Sequence, residues 1–103
     1  MRQIAAAVGR MRRYVGDRSL AEFLADEMAV DAVVRTLEIV SEASRRLSSG
    51  LKEKYPAVPW TLIAGAGNVY RHDYEDVLAE RIYNTATIEI QSLVEALTEE
   101  GLF

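Results

Sequence analysis

Across residues 27–47 the positions that avoid charge recur every third or fourth place. Val30, Val33, Val34, Leu37, Val40, Ser44 and Leu47 make one stripe, while Arg35, Glu38, Glu42, Arg45 and Arg46 take the other faces. That period is the signature of an amphipathic α-helix, and nowhere in the chain does a convincing alternation of period two compete with it. A helix with one long apolar side is stable only when that side is covered. The rest of the chain must therefore supply matching surfaces.

It does so with more helices. Ile4, Val8, Met11 and Val15 share one side of a first helix that Gly16 is placed to close. Ser19 followed by Glu22 is a capping-box pattern for a short helix leading into the long one, which Ser48, Ser49 and Gly50 are expected to end. The segment LKEKYPAVPW reads as a connector, with Pro59 suited to the first turn of the next helix. From that helix Trp60, Ile63, Ala64 and Tyr70 are expected to face inward. A last helix over 77–100 is expected to bury Ile82, Ala86, Leu93 and Leu97, with Gly101 stopping it. The fold class is all-α: an up-and-down antiparallel bundle with one additional short helix, in a single domain over residues 1–103.

Half of the 103 residues are apolar and about a quarter are charged, the balance of a globular chain rather than a disordered one. The longest uncharged run, 55–70, holds two prolines and two glycines and is too short to span a bilayer. Arginines interrupt the first residues before an apolar segment of secretory length accumulates, so a cytoplasmic location is expected. With no cysteine, disulfides and thiolate metal sites are excluded. The net charge of −4 conceals a basic end: residues 1–18 hold Arg2, Arg10, Arg12, Arg13 and Arg18 against Asp17. This is either a solvated helix face or a patch that attracts phosphate, with Arg10, Arg12 and Arg13 as candidate RNA contacts.

The one histidine stands in GAGNVYRHDYE, residues 65–75. If the helix that starts at Pro59 runs on through this stretch, Asn68, Arg71, His72 and Glu75 fall at i, i+3, i+4 and i+7 and share a face. Histidine exchanges a proton near neutrality, with an unperturbed pKa of about 6.5. Arginine grips a phosphate with two prongs, and asparagine donates to a phosphate or ribose oxygen. Cleavage of RNA by its own 2′-hydroxyl requires proton transfer and charge stabilisation, so neither metal nor cofactor is called for. Two other readings fit less well. The GxG fragment follows no strand and lacks the lysine of a phosphate loop, and His72 with Asp73, Glu75 and Asp76 points around a helix rather than converging on a metal. A surface histidine paired with a nearby carboxylate and without a role is the bland alternative.

The arginine-rich first helix, FLADEMAVDAVVRTLEIVSEASRRL, the connector ending PAVPW and IAGAGNVYRHDYEDV together resemble the HepT-like branch of the HEPN superfamily over almost the whole chain. These are small all-helical bacterial toxins encoded beside a minimal nucleotidyltransferase antitoxin, MntA. The family motif is an arginine, four residues, a histidine, one residue and a tyrosine, with asparagine directly after the arginine. Asparagine falls on Asn68, histidine on His72 and tyrosine on Tyr74, but the arginine position is Gly67. The resemblance implies a metal-independent ribonuclease working as a homodimer, its paired motifs lining a cleft between subunits. It also implies that the antitoxin silences the toxin by placing AMP on Tyr74. For Gly67 it implies loss. Arg71, one turn on, is expected to lean back into the room that Gly67 leaves and to serve as the phosphate clamp. The alternative is an inactive HEPN-like module that binds nucleotides or other proteins. Ile39 and Ile88, off the main stripes, are expected at the dimer interface.

Overall fold

The computed structural model describes residues 1–67 and 76–103, with side chains in the second run described from residue 79 onward. Among the described residues lie seven α-helices and one π-helical segment, and no strand. The bundle measures 39 × 26 × 20 Å.

Helix α1, Arg2–Val15, buries Ile4, Val8, Met11 and Val15 as its spacing requires. Gly16 ends it at φ 58°, where a Cβ would be strained, and its N–H donates to the carbonyl of Arg12 at 2.9 Å. Helix α2, Leu20–Leu24, starts with the capping box. The Ser19 hydroxyl accepts from the Glu22 N–H at 3.2 Å, and the Glu22 carboxylate accepts from the Ser19 N–H at 3.0 Å. Two donors that the helix leaves unpaired are satisfied in this way.

Helix α3, Glu27–Arg45, is the central element, and its main neighbours are α1 and the later helix α5. Asp26 caps it by accepting from the Ala29 N–H at 3.0 Å, and Arg18 holds the other oxygen of Asp26 at 3.1 Å. Val30, Val33, Val34, Leu37 and Val40 are buried along its stripe. Two expectations fail at its end. Helix α3 stops at Arg45, before the serines, and Ser48 opens a separate helix α4, Ser49–Lys54, by accepting from the Leu51 N–H at 3.1 Å. Part of the expected connector is thus helical. The serine hydroxyl that suggested a stop acts as a start, because it accepts from an N–H in the first turn that has no partner within the helix.

Helix α5, Trp60–Ala66, has Pro59 at its N-cap. The Trp60 indole N–H reaches the carbonyls of Lys52 and Tyr55, each at 3.1 Å, and so ties α5 to the end of α4. Ile63 is buried and Ala64 half-buried, while Tyr70 lies outside the described residues.

The last helix is not one helix. Helix α6, Asp76–Asn84, passes into a π-helical segment, Thr85–Glu89, and then into α7, Gln91–Glu99. The Ile90 N–H donates to the carbonyl of Thr85 five residues back, at 2.9 Å. Ile82, Ala86 and Ile90, all buried, stand four apart twice in succession. That spacing runs ahead of a 3.6-residue turn, and the wider π turn absorbs the difference. Phe23 of α2 is fully buried and meets the ring of Tyr83 at 5.4 Å between centroids, joining α2 to α6. Of the two isoleucines expected at an interface, Ile39 is packed against the core, whereas Ile88 is 65 % exposed.

Candidate functional site

Asn68, Arg71, His72 and Tyr74 all lie outside the described residues. The described residues that flank the motif segment are Gly67 and Asp76.

Gly67 is buried against α3. A Cβ built on it would stand 3.0 Å from the Cβ of Ser41, 3.1 Å from the Cα of Glu38 and 3.2 Å from the Ser41 hydroxyl. Its φ of −71° is ordinary, so the demand for glycine here comes from the close approach of two helices and not from backbone strain. The expectation that Gly67 leaves room for a neighbouring arginine is therefore corrected. The space is filled by α3.

The same approach is fastened by hydrogen bonds. The Ser41 hydroxyl donates to the carbonyl of Ala64 at 2.6 Å, and Nη1 of Arg45 donates to that carbonyl at 2.6 Å and to the Ser41 oxygen at 3.1 Å. The carbonyls of a helix's last turn lack intrahelical partners, and a cation is favoured at that end of the helix. The periodicity of α3 sets Arg45 among its charged outer faces and gives no hint of this role. The missing signal is three-dimensional, since Arg45 and Ala64 are 19 residues apart.

Between α5 and the α6–π-helical stretch lies a pocket of about 280 Å³. Thr61, Gly65, Arg81, Asn84, Thr85 and Glu89 line it. Within it Glu89 accepts from the Asn84 amide at 3.3 Å and from the Thr85 hydroxyl at 3.2 Å, an arrangement that the π turn brings together. The Thr85–Glu89 pair has ordinary helical i,i+4 spacing, whereas Asn84 stands five residues from Glu89 and meets it across the π turn.

The basic first helix presents Arg12 and Arg13 to solvent and holds Arg10 half-buried. Arg12 and Arg13 border a broad groove of about 640 Å³ with Thr87 and Gln91, and the Arg12 guanidinium sits 5.7 Å from the centre of the Phe103 ring. Among the described residues no group of histidine or acidic side chains is arranged to hold a metal ion. No described helix is long and apolar enough to cross a membrane.

Comparison with known proteins yields one family model, ribonuclease HepT-like, matching residues 4–100. A candidate RNase of Methanocaldococcus jannaschii is 39 % identical over 61 residues, which is 59 % of this chain and 56 % of that protein. A candidate ribonuclease HepT of Thermococcus cleftensis is 29 % identical over 90 % of this chain and 84 % of its own length. A candidate RNase of Caldanaerobacter subterraneus is 36 % identical over 79 % of this chain and 72 % of its own. The chain thus spans little more than half of the first relative and most of the other two. No solved structure matches it.

Proposed function

Because the chain belongs to the ribonuclease HepT-like family of HEPN-type proteins, we propose that it cleaves RNA without a metal, as the toxin of a toxin–antitoxin pair. The observation that carries this reading is the family match over residues 4–100 in a chain that keeps the motif histidine as its one histidine, His72.

In the proposed reaction the RNA 2′-hydroxyl attacks the adjacent phosphorus. The 2′-oxygen–phosphorus bond forms, the bond to the 5′-oxygen breaks, and the products are a cyclic phosphate and a free 5′-hydroxyl. One imidazole takes the proton from the 2′-hydroxyl and another returns a proton to the leaving oxygen. With a single histidine per chain, two such groups require two subunits, which accords with a homodimer whose paired motifs share a cleft. Asn68 donates to the phosphate oxygens or orients the imidazole, and Arg71 adds positive charge beside the motif. Arg10, Arg12 and Arg13 hold the flanking strand through its backbone charge. Tyr74 is the acceptor for AMP from a minimal nucleotidyltransferase antitoxin. An added AMP would bring phosphate charge beside Arg71 and compete with RNA for it. The protein then acts in the cytoplasm, with no cofactor of its own.

A second reading has a specific observation in its favour. The motif arginine is absent, and Gly67 is packed so closely on α3 that no larger residue fits without movement. On that reading the chain is an inactive HEPN-like module that binds nucleotides or a partner.

Cleavage of total bacterial RNA by wild type and His72→Ala, both in chelator and both checked for helix content, decides between them. Cleavage that disappears in His72→Ala supports the nuclease. A correctly folded wild type that leaves RNA intact sinks it in favour of the binding module. Incubation with the partner enzyme and ATP, read by intact mass, tests Tyr74: the wild type is expected to gain AMP and Tyr74→Phe is not.

A further inference from the structure

The bonds around Ala64 fix the position of one cation. The Ser41 oxygen lies 3.2 Å from the point where a side chain at position 67 would begin, and Nη1 of Arg45 lies 3.1 Å from that oxygen. Taken in series, these put Nη1 of Arg45 at most about 6.3 Å from that point, a distance comparable to that between an extended arginine's own terminal nitrogen and its own Cβ. From this geometry we infer that Arg45, reaching across from α3, supplies the phosphate-binding cation that the family pattern places at position 67.

The orientation of Arg45 suits the task. Nη1 is committed to Ala64 and Ser41, while the Nε and Nη2 edge engages no described residue. That edge is the side of a guanidinium which grips two oxygens of one phosphate. The Arg45 side chain is exposed, so a phosphate has access to it. Ser41 holds the anchored nitrogen in place, which limits the side-chain freedom that binding would otherwise have to remove. The same close contact accounts for the glycine. With Arg45 and Ser41 occupying this corner, a residue larger than glycine at 67 would collide with the groups that fix Arg45.

The inference rests on the ribonuclease reading for its ligand, a phosphodiester of RNA, yet it is tested separately. The probe is a short 2′-O-methyl RNA, which binds but has no 2′-hydroxyl to attack with, titrated by fluorescence anisotropy over a range of salt. Arg45→Gln keeps a donor for the Ala64 carbonyl and removes the charge; Arg45→Ala removes both. Both variants are expected to bind about tenfold more weakly than wild type, the scale of one charge-assisted hydrogen bond. The slope of log affinity against log salt should also become shallower by about 0.7, as expected when one fewer phosphate is neutralised on a single strand. Arg45→Lys should retain the slope. The triple variant Ser41→Gly, Gly67→Arg and Arg45→Ala removes two of the three close approaches at position 67 and moves the cation there, and it should recover affinity and slope together. A merely structural Arg45 would change the melting temperature and leave the salt slope of the folded fraction alone.

Unchanged affinity and slope in Arg45→Gln, or a wild type that does not bind the probe, overturns the inference. Wild type that cleaves unmodified RNA while Arg45→Gln binds normally overturns it and leaves the nuclease standing. Wild type that binds through Arg45 and cleaves nothing upholds the inference and sinks the nuclease.

Discussion

Gly67→Ala adds a single methyl group at the closest approach of α3 and α5. The new carbon would meet the Ser41 Cβ at 3.0 Å and the Glu38 Cα at 3.1 Å, whereas an unstrained carbon pair sits at about 3.5–4.0 Å. One of these neighbours is backbone within the central helix, so α5 must move by a few tenths of an ångström, loosening the bonds to Ala64 that depend on its place. Overpacking of this kind costs about 1–3 kcal/mol. Against it, alanine at a helical φ restricts the unfolded chain and returns about 0.4–1 kcal/mol. The net expectation is a destabilisation of about 1–2 kcal/mol, which for a domain of this size lowers the melting temperature by roughly 4–16 °C. Differential scanning calorimetry or circular dichroism melts give the answer directly. In a Ser41→Gly background two of the three close approaches vanish, and the alanine should become much less costly, a coupling that a double-mutant cycle reads out. If Gly67→Ala is as stable as wild type or more so, the glycine is not held by packing, and the close approach of α3 does not explain the missing arginine.

Two further perturbations probe the frame. Phe23 is fully buried between α2 and the Tyr83 ring, so Phe23→Ala should remove about 3–5 kcal/mol, a large share of an ordinary domain's stability, seen as an earlier midpoint in urea. Glu100 is held below the usual carboxylate range, first by the hydrogen bond from the Tyr55 hydroxyl and then by Lys54 at 2.9 Å. A carboxylate with a lowered folded pKa contributes stability that is present above its unfolded value and lost as pH falls through the folded one. Acid titration of the melting temperature should therefore show a steeper fall below about pH 4.5 in wild type than in Tyr55→Phe, and equal slopes would contradict the assignment.

Much of the bundle is legible in the residues. The stripe of α3, the four inward positions of α1, the capping box at Ser19 and the stop at Gly16 follow from rules that act over one or two turns. The failures share a cause. Ser48 ends one helix region and begins another, and local chemistry alone does not say which role the surrounding chain will use. The π turn at Thr85–Glu89 differs from a continuous helix by one residue of phase, a change visible only when Ile82, Ala86 and Ile90 must all face the same core. Ile39 reads as spare because it lies off the stripe of its own helix, yet it is half-buried and packed against the core.

The site divides in the same way. Sequence alone determined that Asn68, His72 and Tyr74 stand at the spacing that the family resemblance implies and that glycine stands at position 67, because identity and order are properties of the chain. What surrounds position 67 was decided by tertiary structure. A glycine that reads as a vacancy is a packing surface, pressed onto Ser41 and Glu38, and an arginine that reads as part of a solvated face is fastened to the carbonyl of a helix 19 residues away. No local rule connects those residues, since what brings them together is the packing of α3 on α5.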